Sequence, residues 1–541
     1  MAVNGFYESY EKQGFFFDRS LLTTYCLSLH TKPFVILSGI SGTGKTKIAQ
    51  LFTPFATEAS KVSVPQKQAT APTTIPGKWI LLTASAGVMT GDGRANFQYK
   101  DIDALLNPDE VAALSPKIAE LKKAGREDNI CDPFPIIIEG VSGEEIKATV
   151  YLQRASSPLL RVRFKSKKGE TAWDSTDYFR KNHKLNDKLK LEKIGDKRLK
   201  VVSVNDASVI AKSVELDQQE YPNVKNSCFI SVRSDWTDSS ALFGYYNLIE
   251  QKYHVTPLVA FLLKATENPH IPFFLILDEM NLAKVEHYFS DFLSCLESRH
   301  MRDGKFVQEP IRLNSGSGWI ETDDDYFDVI PPEVAIPQNL YVTGTVNIDE
   351  STYMFSSKVL DRANVIELNK VDLDGYGATK ATPVDDDYVL DSFPVFTSTN
   401  LATKKDYVGL VDEGKDFFKN IHAILEKYHL HFGYRVMNEV SLYINNALQH
   451  CHPSERRLDL AKDYQLIQKI LPKFSGSQGR LDLPLREILQ FLVGNNESIE
   501  KFDFEVIQNI DPDKTRYPLS VSKLRRMYIT LVINGFVNFI E

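Results

Sequence analysis

At 541 residues the chain exceeds what one hydrophobic core organises, and roughly three structural units of ~150 residues each are expected. A composition of 43% hydrophobic and 25% charged residues is that of a globular protein, and a net charge of −8 argues against a surface that coats nucleic acid uniformly. The five cysteines are widely spaced without a C-x-x-C pair, no apolar signal core opens the chain and no run approaches the ~18 apolar residues of a membrane span, so a reducing cytoplasm is expected, without disulfides, zinc or membrane.

Residues 1–32 carry Phe15, Phe16, Phe17, Leu21, Leu22, Tyr25 and Leu29 in a mostly helical pattern, expected to pack beside the first strand and its loop. Phe34-Val35-Ile36-Leu37 then reads as a buried strand, followed by Gly39-Ile40-Ser41-Gly42-Thr43-Gly44-Lys45-Thr46 and a helix from Lys47 to about Phe52. Strand, glycine-rich loop and helix in that order let backbone N–H groups close around phosphates while the helix end adds its positive dipole. In such a loop Lys45 reaches the β- and γ-phosphates and the Thr46 hydroxyl holds Mg²⁺.

A patch rich in Ser, Thr, Pro, Gln and Ala from Lys61 to Lys78 reads as a linker. From Trp79 to Pro222 the pattern changes: Ala148–Arg154 and Leu160–Gly169 alternate apolar and polar residues, as strands do. Leu160, Val162 and Phe164 are expected to face a small core, with Arg161, Arg163 and Lys165 outward. Between Arg161 and Lys200 stand 14 Lys/Arg against 6 Asp/Glu, with Phe164, Trp173, Tyr178 and Phe179 interleaved. Such a face suits phosphate contacts and base stacking, or serves as a solvated surface.

A strand returns at Cys228, and Pro272-Phe273-Phe274-Leu275-Ile276-Leu277 ends in Asp278 and Glu279, placing the acids at the carboxyl end of a buried strand, where open α/β sheets bind ligands. Asp278 is expected to hold Mg²⁺ and Glu279 to polarise an attacking water. A helix over residues 285–299 and a hairpin over 301–313 precede another buried strand, 340–346, which ends in Asn347, a candidate to orient the water beside Glu279. A helix over 351–361 leads to Arg362 and the last strand. Beyond 371 the chain reads as helical: 409–430, 434–450, 458–474, 484–493 and 520–541.

Gly39–Thr46, Asp278-Glu279-Met280-Asn281, Gly344–Glu350 and Leu360-Asp361-Arg362 together resemble the AAA+ superfamily, in its McrB-type branch of restriction NTPases. The resemblance implies an α/β P-loop core, a parallel sheet flanked by helices, built from residues 1–60 and 226–370. A small inserted domain, β-rich or α+β, would occupy 61–225, and an all-helical lid 371–541. It implies GTP or ATP with Mg²⁺, a hexameric ring, a separate McrC-like nuclease subunit and DNA, met by the basic insert at 161–200. Arg362 becomes an arginine finger for the neighbouring subunit, and Arg435 a sensor directed at the γ-phosphate. The acid that the family places after the sensor asparagine is here either Asp349, one residue early, or Glu350. The alternatives are a protein-remodelling ATPase of the MoxR or dynein-related kind, and a nucleotide-dependent assembly switch with slow turnover.

Overall fold

The computed structural model describes residues 3–63, 79–84, 94–98, 102, 105–106, 110–111, 114, 133–153, 159–164, 174–184, 187–195, 197–205, 225–302, 305–313, 320–322, 329–348, 353–369, 386–398 and 401–540. Five strands, β1 (Phe34–Gly39), β2 (Ser227–Ser231), β3 (Phe273–Asp278), β4 (Leu340–Asn347) and β5 (Asn364–Glu367), form one sheet in the order β5-β1-β4-β3-β2. Every neighbouring pair is parallel. Parallel strands covered on both faces need continuous apolar runs rather than alternation. β1 is buried along its whole length and β3 up to its last residue. Helices α1 (Arg19–Thr31), α2 (Lys45–Ser63) and α3 (Pro257–Glu267) pack against this sheet. The register pairs Gly39 with Asn347 and Leu277 with Gly344, so the phosphate loop, the asparagine and the acidic pair leave the sheet at one edge.

Local boundaries differ from the sequence pattern where capping and packing override it. The helix expected from Lys47 to Phe52 runs from Lys45 to Ser63 through Pro54, the hydroxyls of Thr53, Thr57 and Ser60 bonding back to carbonyls one turn earlier. The helix expected over 285–299 is interrupted at Phe289, leaving Val285–Tyr288 and α4 (Ser290–Ser298). Only Ser357–Leu360 is helical ahead of Arg362 among the described residues. Further on come α5 (Asp412–Glu426), α6 (Tyr434–His450), α7 (Arg457–Gln465), α8 (Gln478–Val493) and α9 (Pro518–Asn534). After α7 the chain widens into a π-turn, Leu466–Ile470, and then tightens into a 3₁₀ turn, Leu471–Lys473. α9 ends at Gly535, whose φ of 73° supplies a left-handed cap, and Phe536–Asn538 turns back to pair with Ser475–Ser477.

A second sheet of seven strands lies between residues 79 and 204 and encloses its own core. Glu145–Gln153 and Leu159–Arg163 pair antiparallel within it, burying Leu160, Val162 and Phe164. Among the described residues no helix is long and apolar enough to cross a membrane.

Candidate nucleotide site

The site is built where three strands end. The loop after β1 needs glycine twice for steric reasons. A Cβ on Gly39 would lie 2.3 Å from the Leu368 carbonyl oxygen, and Gly44, at φ +84°, would drive one to 2.8 Å from the Phe17 ring. Phe17 thus covers the loop from outside any helix, as Phe15–Phe17 lie between Asn4–Glu11 and α1 rather than on one amphipathic helix. The Lys45 side chain is buried, its ammonium donating to the Gly39 and Ile40 carbonyls at 2.9 and 2.6 Å. An entering phosphate would compete for that ammonium with full charge where the carbonyls offer only dipoles.

Asp278 closes the other side. One carboxylate oxygen accepts from the Thr46 hydroxyl and from the Thr345 hydroxyl, each at 2.7 Å. A hydroxyl and a carboxylate converging at the mouth of a phosphate loop are hard oxygen donors of the kind Mg²⁺ takes, with its remaining positions left to water and phosphate. The residues present therefore fit that ion.

Glu279 adopts the left-handed conformation, φ 54° and ψ 48°. For a side chain of this kind that costs about 1–2 kcal/mol. Its surroundings hold it there: its N–H donates to Thr345 Oγ1 at 3.0 Å, and Asn347 Nδ2 donates to its Oε1 at 3.1 Å. Asn281 in turn donates to the Asn347 carbonyl at 2.9 Å, and Tyr288 to that of Met280 at 2.8 Å. Thr345 and Asn347, two apart on β4, point to the same face and link the acids of β3 to that strand. Sequence reasoning missed the roles of Thr345 and Asn281; the period of two in Thr345-Val346-Asn347 was the signal that could have found the first. Asp349 and Glu350, the alternatives for the family's acid, lie outside the described residues.

Arg362 and Arg435 are elsewhere. Both guanidiniums sit on Glu297 of α4, Arg435 at 3.0 Å, and Arg362 also donates to the Lys358 carbonyl. Burial and the adjacent Arg435 pull Arg362 below the ordinary arginine value. They line a cavity of about 370 Å³ together with Lys32 and Pro33, which precede β1, so they flank the amino edge of the sheet. The phosphate loop leaves the carboxyl edge, one six-residue strand away. At 3.3 Å per residue that is about 20 Å, beyond the reach of one side chain. Arg435 therefore lies out of reach of the phosphate loop of its own chain. α6 begins beside Arg362, because Glu439, one turn later, is anchored to Lys32 ahead of β1.

The basic face is also altered by folding. Phe164 and Phe179 are fully buried against each other, ring centroids 4.7 Å apart, and cannot stack on bases. Phe164 faces the small core as its alternation with the arginines implied, and Phe179 joins it from the helix Thr176–Asn182. Arg198 and Lys200 pair with Glu145 and Glu139, each at 2.6 Å, and Lys197 with Glu110 at 3.0 Å. Arg161 and Arg163 are half-buried, Arg163 lying over the Tyr151 ring. Lys165 and Trp173 lie outside the described residues.

Residues 392–536 match the sequence family described as a domain of unknown function, DUF8727, a span short of half the chain. No curated protein matches. Among solved structures, a candidate ATPase from Cytophaga hutchinsonii is similar at 13% identity and a TM-score of 0.21, over 44% of this chain and 69% of that one.

Proposed function

We propose that this chain is an AAA+ type nucleoside-triphosphate hydrolase that works as a ring, hexameric by its McrB-type resemblance, on ATP or GTP with Mg²⁺. Its turnover drives DNA recognition or translocation for a separate McrC-like nuclease subunit. The observation that carries the hydrolytic part is the convergence of Lys45, Thr46, Asp278, Glu279 and Asn347 at one sheet edge, with Asn347 holding Glu279 at 3.1 Å. Lys45 and the loop N–H groups bind the phosphates, Thr46 and Asp278 hold the metal, and Asn347 orients Glu279 as it polarises the attacking water. Bound Mg²⁺ would neutralise charge developing on the phosphate oxygens. The ring reading is supported by Arg362 and Arg435, which sit on Glu297 too far from their own loop to serve it. Phosphate release should therefore require Mg²⁺, and the rate per subunit should rise with protein concentration for ATP or GTP. Concentration-independent turnover by a monomer would remove the ring.

The ion pairs on the second sheet favour a second reading, in which turnover remodels a protein partner and that sheet docks on it. Reversing Arg161 and Arg163 to Glu separates the two. If that face binds DNA, anisotropy titrations should show weaker affinity and a log–log salt slope shallower by about two units. Unchanged affinity and slope would leave the protein partner.

A further inference from the structure

The loop carrying Arg362 is gripped by a buried cluster of charges that the nucleotide site does not use. Glu439 of α6 pairs with Lys32 on one carboxylate oxygen and with Lys469 on the other, each at 2.6 Å, and all three side chains are nearly inaccessible. Burial alone would push the Glu439 carboxyl up, but the two ammoniums outweigh it and hold it below the ordinary carboxylate range. Burial and the second lysine pull Lys32 down.

Both ammoniums have a further task. Lys32 donates to the Asp361 carbonyl at 3.1 Å; Lys469 donates to that carbonyl at 2.8 Å and to the Ala363 carbonyl at 3.1 Å. Lys473 pairs with the Asp361 carboxylate at 2.5 Å. The carbonyls on either side of Arg362 are thus tied to two segments distant in sequence, the end of α1 and the π-turn after α7, and through their lysines to Glu439 in the first half of α6. A π-turn shifts the side chains that come after it by one position relative to a regular helix, and Lys469 lies within this one.

A buried cluster with one carboxylate and two ammoniums contributes little net stability compared with apolar side chains of the same volume. Its geometry, in contrast, leaves the Arg362 backbone few alternatives. We propose that Lys32, Glu439 and Lys469 are positioning residues for Arg362, aiming its guanidinium out of the amino edge of the sheet at the nucleotide of an adjoining copy of this chain. The proposal rests on the ring-hydrolase reading above, and links the helices beyond residue 404 to turnover in the neighbour.

Lys469→Met is the informative change, because it leaves a neutral Lys32–Glu439 pair. Single-turnover hydrolysis, KM, affinity for a fluorescent nucleotide and melting temperature are compared among the parent, K469M, R362A and the double variant. K469M is expected to lower the rate about 10–10²-fold, the penalty of a displaced catalytic group, with KM and nucleotide affinity within about twofold of the parent. In the R362A background it should cost nothing further, since residues acting as a unit are not additive. Should K469M fail to fold, Lys32→Met, which leaves the neutral Glu439–Lys469 pair, carries the same expectations. An equal loss in both backgrounds, or a lower melting temperature with an unchanged rate, makes the cluster merely stabilising and overturns the proposal. Parent-like hydrolysis by R362A alone overturns the ring reading, and the proposal with it.

Discussion

Arg362→Ala is expected to bind nucleotide like the parent and to hydrolyse it about 10³–10⁵-fold more slowly, the range for arginines that stabilise transition-state charge on a transferring phosphoryl group. Stability should hardly change. The Arg362–Glu297 pair is partly exposed, and Arg435 remains to occupy the carboxylate. Because the guanidinium lies a strand length from its own phosphate loop, the defect should be curable from outside. Mixing R362A with Lys45→Ala, which lacks a competent loop but keeps the arginine, should restore turnover that neither variant has alone. Failure of the mixture to recover, with both variants folded and assembling, would confine Arg362 to its own subunit.

Glu279→Gln is expected to keep nucleotide affinity and assembly while losing more than ~10²-fold in hydrolysis, trapping the nucleotide-bound ring. Glutamine preserves the length of the side chain, an oxygen to accept from Asn347 Nδ2 and the backbone bond to Thr345, so the left-handed turn has no new reason to relax. What it removes is the negative charge that draws a proton from the attacking water. Lys45→Ala is the contrasting case: it removes the ammonium that meets the phosphates, and binding itself should be lost. Equilibrium binding of a labelled nucleotide, beside phosphate release, separates the two variants. Near-parental turnover by the glutamine variant would take the general base away from Glu279.

The parts of the site legible in the sequence are those whose order along the chain imposes their geometry. Within Phe34–Thr46 an apolar strand, glycines and a helix start succeed one another, and no long-range contact is needed to bring Lys45 and Thr46 to the helix end. Asp278 and Glu279 close an apolar run, so a carboxyl-edge position came from the strand alone. Helix limits were less legible. Pro54 does not stop α2 because the helix packs along the sheet and against Asn4–Glu11, whereas Gly535 ends α9 with six residues of chain to go.

Chain order and residue type suffice to place a glycine-rich loop at a strand end, an acidic strand end and a charged, alternating segment between them. Which of these stand side by side was settled by folding. β4 lies between β1 and β3, which is why Asn347 and Thr345 can bridge the loop side and the acid side. The same folding sent Arg435 to the opposite edge beside Arg362, and turned Phe179 of the basic segment inward against Phe164. Strand order, ion pairing and burial depend on residues hundreds of positions apart, as Lys32 and Glu439 illustrate. Local periodicity reports which face of an element is apolar; it carries no information on which other element will cover that face or neutralise its charges.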